Sequence, residues 1–194
     1  MNFEGIKSIL SSKTVGVAGC GGLGSNSAVA LARVHVGTLI IADFDIIIES
    51  NLNRQYFFYK QIGQKKAFAL KENIEAINPL TTVIAHDCTL NSKNIPEIFS
   101  SCDIVIEAFD KAEMKKMIIE TMANNLPNIP LIVGLGMAGF GNFNLIKLQQ
   151  FDNLYICGDG LTEIADNIPP IAPRVGIVSN LQADTAINIL LKRS

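Results

Sequence analysis

Gly19-Cys20-Gly21-Gly22-Leu23-Gly24 satisfies G-x-G-x-x-G. The pattern lies between an apolar run at residues 14–18 and an Ala- and Leu-rich stretch at residues 24–33. In a strand–turn–helix setting, missing side chains let the backbone approach a phosphate, and the helix N-terminus faces the negative charge. By itself the pattern suits NAD, FAD, SAM or ATP, or a purely structural tight turn. Asp43 closes the next apolar run, about twenty residues on, where a carboxylate can accept hydrogen bonds from ribose hydroxyls. That position fits NAD as well as ATP.

The next segment asks for more than a dinucleotide does. Asn51, Arg54 and Gln55 lie in a polar and aromatic stretch that ends at Lys65-Lys66, at the predicted start of a helix. Lysines there oppose the helix dipole unless an anion compensates them, and a polyphosphate would. The competing readings are a solvated surface arginine for Arg54 and an exposed helix lysine for Lys66. Asp110 follows the predicted strand at residues 104–108, at the carboxyl edge where ligands of open α/β sheets collect; it could equally cap the next helix. Asp45 and Glu107 are weaker acidic candidates. A second match, Gly134-Leu135-Gly136-Met137-Ala138-Gly139, leads into another strand and reads as backbone crowding at a turn that could border a substrate site.

The elements that must carry these residues alternate. Strands are expected at residues 14–18, 39–42, 82–85, 104–108 and 131–135, with helices at 3–10, 24–33, 65–77 and 111–125. Residues 46–64 form a long irregular connection, a length that usually signals a function or a partner. Residues 143–148 look like a strand reached without a helical crossover, hence antiparallel. Residues 152–173, with glycines and three prolines, read as a long loop before a closing helix at 175–191. The expected fold is a single α/β domain over residues 1–194: a Rossmann-like, mostly parallel sheet, helices on both faces, and an antiparallel extension at the C-terminal end.

Composition agrees and excludes. At 194 residues with 48% hydrophobic content, the chain suits one core with strands apolar on both sides. A formal charge of −2 offers no broad cationic field for nucleic acid or an anionic membrane. No apolar run approaches the ~18 residues of a membrane span, and the first residues lack a signal peptide's basic region and apolar core, so a cytoplasmic location is expected. Cys20, Cys88, Cys102 and Cys157 form no C-x-x-C pair, so neither zinc nor a disulfide framework is expected. His35 and His86 match no motif and read as structural.

Five motifs in order, Gly-x-Gly-Gly-Leu-Gly-Ser (from Gly19), Asp-Phe-Asp (Asp43), Ser-Asn-Leu-Asn-Arg-Gln (Ser50), Gly-Gln-Lys-Lys-Ala (Gly63) and Ile-Asn-Pro (Ile77), resemble the ThiF/MoeB/HesA enzymes, relatives of ubiquitin-activating enzymes. The resemblance runs from about residue 15 to 110 and more weakly to 148, and the S-N-L-x-R-Q element is its most diagnostic part. It implies an adenylyltransferase in which Gly19, Gly21, Gly22 and Gly24 line ATP and Asp43 holds the ribose. Asn51, Arg54, Gln55 and Lys66 would surround the phosphates, and Asp110 would engage Mg²⁺. The implied partner is a ubiquitin-fold sulfur carrier ending in Gly-Gly, and the implied assembly is a homodimer. Cys-Gly-Asp-Gly at Cys157 and Ala-Pro-Arg-Val-Gly at Ala172 resemble the short ThiF-type members, pointing to a ThiS-like carrier of thiamine biosynthesis rather than a molybdopterin carrier. An NAD-dependent oxidoreductase and a non-catalytic carrier-binding scaffold are the alternatives.

Three departures stand against the family pattern. The zinc-binding C-x-x-C pairs of many members are missing. Residues 1–13 hold no arginine to reach a partner subunit's ATP, leaving Lys7 or Lys13 as substitutes. Cys157 is the only local candidate for the late-loop cysteine that some relatives use in sulfur or thioester chemistry.

Overall fold

The computed structural model describes residues 1–162 and 164–192. Seven strands are present: β1 (Thr14–Ala18), β2 (Thr38–Ala42), β3 (Thr82–His86), β4 (Ile104–Glu107), β5 (Leu131–Gly134), β6 (Lys147–Phe151) and β7 (Leu154–Gly158). They form one sheet in the order β3-β2-β1-β4-β5-β7-β6, parallel except for the antiparallel pair β6 and β7. The helices are α1 (Phe3–Leu10), α2 (Gly22–Arg33), α3 (Lys66–Ile77), α4 (Asn94–Phe99), α5 (Ala112–Asn125) and α6 (Ala172–Lys192).

Alternation along the strands makes two apolar layers. Val15, Val17, Leu39, Ile41 and Ile106 pack with residues of α2, α3 and α6, such as Leu31, Leu70 and Val178. Ile40, Val105 and Val133 face the other way, onto Phe99 of α4 and Ile118 and Met122 of α5. Gly16 sits on this second face because the Phe99 ring fills the space its side chain would need, 2.6 Å from an ideal Cβ. On the first face α6 is bound to α2 by Ser27 Oγ, which donates to the Ser179 carbonyl at 3.0 Å.

The expected mostly parallel sheet is present, with its antiparallel end drawn differently. Residues 143–148 are not a strand throughout: Phe143–Leu145 is a 3₁₀ turn, and β6 begins only at Lys147. The stretch at 152–173 is not all loop, since β7 occupies its start and lies between β5 and β6. The reversal is a tight turn in which Asp152 adopts φ 50°, a conformation that Asp tolerates better than most residues. The short α4 was not expected. Pro96 lies in its first turn, where a missing backbone N–H costs no helical hydrogen bond. Helices α2 and α6 start earlier than read, at Gly22 and Ala172. Among the described residues no helix is long and apolar enough to cross a membrane.

Candidate functional site

From β1 the chain builds outward through β2 to β3, then returns to place β4 on the other side of β1. The connections therefore diverge at the carboxyl ends of β1 and β4, where open α/β sheets bind ligands. A cleft of about 350 Å³ opens there, within the ~300–1,000 Å³ usual for small-molecule sites.

Gly19, Gly21 and Gly22 form its glycine wall. Gly19 has φ 100°, which side-chain-bearing residues rarely adopt. Gly24 does not line the cleft; a Cβ there would overlap the Gly19 carbonyl oxygen, so it lets the helix close onto the turn. The Cys20 N–H donates to Asp43 Oδ2 at 2.6 Å and the Asp45 N–H to Oδ1 at 2.8 Å, fixing Asp43 at the end of β2. Burial raises the Asp43 carboxyl above its ordinary pKa, opposed by these two N–H groups and the Lys66 charge.

Two side chains of α2 that sequence reasoning gave no role bind the second wall to this turn. Ser25 Oγ donates to the Gly21 carbonyl at 2.6 Å and accepts from the Tyr56 N–H at 2.9 Å. Asn26 Nδ2 donates to the Gly22 carbonyl at 2.7 Å and the Arg54 carbonyl at 2.9 Å. Arg54 and Gln55 thereby line the cleft. The Arg54 guanidinium donates to the Ser50 carbonyl at 3.1 Å and Asn53 Oδ1 at 2.7 Å. Burial lowers its pKa and the Asp110 charge raises it. Gln55 is buried, and its Oε1 has no hydrogen-bond partner among the described residues. Asn51 is not on the wall: its Oδ1 accepts from the Ile48 N–H at 3.1 Å and shapes the 3₁₀ turn Glu49–Asn51.

Lys66 opens α3 with its side chain only 7% exposed, so it is not a surface helix lysine; its Nζ lies 2.8 Å from Asp45 Oδ2. Across the cleft, the N-cap of α5 is Lys111 rather than Asp110, and the Asp110 carboxylate has no hydrogen bond or ion pair among the described residues. Glu107 belongs to the scaffold. It is fully buried, accepts from the Phe109 N–H at 2.5 Å, and is bound by Lys115 Nζ at 2.9 Å, which also donates to the Gly134 carbonyl at 2.8 Å. This ties the 107–110 turn to the second glycine segment, whose Met137 reaches the cleft.

Sequence reasoning also missed Cys88, Thr89 and Leu90, which wall the cleft just beyond β3. The carboxyl-end rule that picked out Asp43 applies equally to that strand end. Cys157 is fully buried in β7, 3.8 Å from Thr185 Oγ1, and burial pushes its thiol up to about 11. Such a thiol is neither presented to the cleft nor ionised at neutral pH. Lys7 lines a small pocket at the amino ends of β2 and β3 and Lys13 immediately precedes β1, so within one chain both lie at the sheet edge opposite the cleft. His35 is bound to Asn78 (Nδ1 to Nδ2, 3.1 Å), in keeping with a structural role. No group of three metal-ligating side chains exists among the described residues.

The chain is 31% identical over 193 residues to the adenylyltransferase and sulfurtransferase MOCS3 of Caenorhabditis briggsae, covering 95% of this chain and 47% of the relative. It is 29% identical over 199 residues to the molybdopterin-synthase adenylyltransferase of Haemophilus influenzae, covering 99% of this chain and 80% of that one. The chain thus spans less than half of the first relative's length. The Escherichia coli tRNA N6-threonylcarbamoyladenosine dehydratase TcdA, solved in complex with ATP, superposes with a TM-score of 0.88 over 98% of this chain and 90% of that one. At 20% identity, that likeness concerns the fold alone. The ThiF family model matches residues 1–194, the whole chain. With the family's glycine turn, aspartate and arginine loop gathered at one sheet crevice, the chain belongs to the ThiF family.

Proposed function

We propose that the protein adenylates the C-terminal Gly-Gly carboxylate of a ubiquitin-fold sulfur carrier, consuming ATP and releasing pyrophosphate. One observation carries this reading: the glycine turn, the Asp43 carboxylate and the cations Arg54 and Lys66 converge on a single cleft. A dinucleotide oxidoreductase would use the first two and leave the cations without a task.

In this reading Gly19, Gly21 and Gly22 receive the nucleotide backbone-close and Asp43 accepts from the ribose hydroxyls. A carrier carboxylate oxygen attacks the α-phosphorus, the new acyl O–P bond forms, and the bond to the β-phosphate oxygen breaks with its electron pair leaving on pyrophosphate. The nucleophile is already ionised, so no general base is needed. Arg54 and Lys66 stabilise charge gathering on the phosphates, where preorganised electrostatics supplies most of the catalysis. Asp110 suits Mg²⁺, an ion bound through one or two carboxylates plus substrate phosphates rather than by an all-protein cage; when bound it neutralises phosphate charge. The absence of C-x-x-C pairs argues against a structural zinc.

The carrier's tail would run beside residues 134–141, with Met137 and Ile164 at the cleft rim. Glycines lack a Cβ and can lie extended in a narrow channel. A ThiS-like carrier is favoured by the Cys157–Gly160 and Ala172–Gly176 elements. The molybdopterin-synthase adenylyltransferase named among the relatives supports a molybdopterin-type carrier as the second reading. A homodimer is the proposed assembly, supported by exposed Phe44, Ile48, Phe58 and Tyr59 on the crossover. Calorimetry with Mg-ATP and with NAD tests the central reading: ATP is expected to bind and NAD not to bind, and tight NAD binding without ATP binding would refute it.

A further inference from the structure

The cleft wall carries three cations, Arg54, Lys66 and Lys111. Two are already committed. Lys66 Nζ lies 2.8 Å from Asp45, and Arg54 is directed by Ser50 and Asn53. The Lys111 ammonium has no hydrogen bond or ion pair among the described residues.

Its position is a poor one for stability alone. Lys111 is the N-cap of α5, where its side chain makes no capping hydrogen bond and where Ser, Thr, Asp or Asn is preferred. A cation there also opposes the positive end of the helix, an effect partly offset by Glu113 in the first turn. Its backbone, by contrast, is firmly held. The Lys111 carbonyl accepts from the Met114 and Lys115 N–H groups, and Lys115 is pinned by the buried Glu107 and the Gly134 carbonyl. A fixed backbone carrying an uncommitted ammonium on an exposed, cleft-lining residue is suited to meeting an anion that arrives from outside.

The neighbours say which part of the ligand it meets. Lys66 Nζ, 2.8 Å from Asp45 Oδ2, stands beside Asp43, whose Oδ1 accepts from the Asp45 N–H; this marks the ribose and α-phosphate side. Arg54 lies against Gly22, its Cγ 3.5 Å from where a Cβ would stand, and feels the Asp110 charge. Asp110, the proposed Mg²⁺ ligand, and Lys111 follow the Ala108–Phe109 turn that lies against Gly19, so they form the wall of the cleft on the β4 side. Resting on the ATP reading of the cleft, we propose that Lys111 is a further catalytic residue, supplied by the same chain, that contacts the β- and γ-phosphates and stabilises pyrophosphate as it leaves. The electron pair of the breaking bond ends on that pyrophosphate, and a cation beside it is worth more after the step than before. No proton is transferred.

The test compares Mg-ATP with AMP on the full chain, by calorimetry, for wild type, Lys111→Met and Lys111→Arg. AMP lacks the groups that Lys111 would contact. Loss of one charge-assisted contact should weaken ATP binding about tenfold in Lys111→Met while AMP binding stays within about twofold. The pyrophosphate-exchange rate with a ThiS-like carrier should fall on the order of 10²-fold, and Lys111→Arg should restore most of both. Equal ATP affinity in wild type and Lys111→Met, or equal losses for ATP and AMP, overturns the role of Lys111 while leaving the nucleotide site standing. A wild type that binds neither nucleotide overturns the reading of the cleft and Lys111 with it.

Discussion

Lys66 and Arg54 show how burial changes the meaning of a charge. A lysine whose side chain is 7% exposed has given up most of its hydration, and the Asp45 carboxylate at 2.8 Å compensates it only in part, because Asp45 is itself half in solvent. In the proposed reaction an arriving phosphate would complete that compensation. Arg54→Ala and Lys66→Ala are each expected to lower adenylation on the order of 10²-fold, as for loss of one preorganised donor at developing charge, with an unchanged circular dichroism spectrum. Near-wild-type turnover in both would return these residues to a structural role. Most of the site was legible at this scale because backbone-limited chemistry leaves a local signature: glycines before a helix, a carboxylate at a strand end. Asn51 was not, since the hydrogen bond from the Ile48 N–H that turns it away from the cleft depends on the local 3₁₀ turn. Nor was Asn26, whose two carbonyl partners lie on segments separated in sequence.

At the scale of elements, the first half of the sheet could be read because each strand is an uninterrupted apolar run ending at Gly, Asp or a charged residue. The C-terminal end was legible in outline, as an antiparallel extension and a closing helix, but not in its strand order. Leu154–Gly158 ends in Gly158 with Gly160 close behind, which reads as a loop, and its identity as a strand depends on a place between β5 and β6. What holds that region is a buried ion pair: Arg174 Nη2 lies 2.5 Å from Asp159 Oδ2, both side chains under 5% exposed, and Arg174 Nη1 donates to the Gly141 carbonyl. The Leu161 and Thr162 N–H groups also donate to Asp159. This clasp fastens the start of α6, the loop after β7 and the second glycine segment together. Burial acts to raise the Asp159 pKa, but the Thr162 and Leu161 N–H groups, the Thr162 hydroxyl and Arg174 outweigh it and hold the carboxyl below its ordinary value. A depressed folded-state pKa contributes stability above the unfolded value, near 3.9, that is lost as pH falls through the folded value. Asp159→Asn, by leaving Arg174 buried and unpaired, is expected to cost about 3–5 kcal/mol at pH 7. Thermal melts from pH 6 down to about pH 2 should show a shallower acid-side loss in this variant than in wild type; parallel curves would mean the clasp does not titrate with folding.

For the whole molecule, the order β3-β2-β1-β4-β5-β7-β6 turns scattered motifs into one site. The reversal of direction between β1 and β4 opens the crevice, and the N-terminal regions of α2, α3 and α5, marked by Gly22, Lys66 and Lys111, all border it. The buried Cys157, its thiol pushed up to about 11, offers no thiolate to the cleft, and the proposed adenylation needs none. Phe140 and Phe143, within and just after the glycine segment that a carrier tail would follow in the proposed reaction, are exposed, as is Leu161.

Whether the chain adenylates a Gly-Gly carrier is decided by mixing the protein, Mg-ATP and a ThiS-like carrier with an intact Gly-Gly terminus, then weighing the carrier by intact mass spectrometry while measuring pyrophosphate. The expected result is a carrier heavier by one adenylyl group, formed with stoichiometric pyrophosphate and lost when the terminal Gly-Gly is removed. Pyrophosphate released only with a free amino acid or another small acid, and never with the intact carrier, would contradict it.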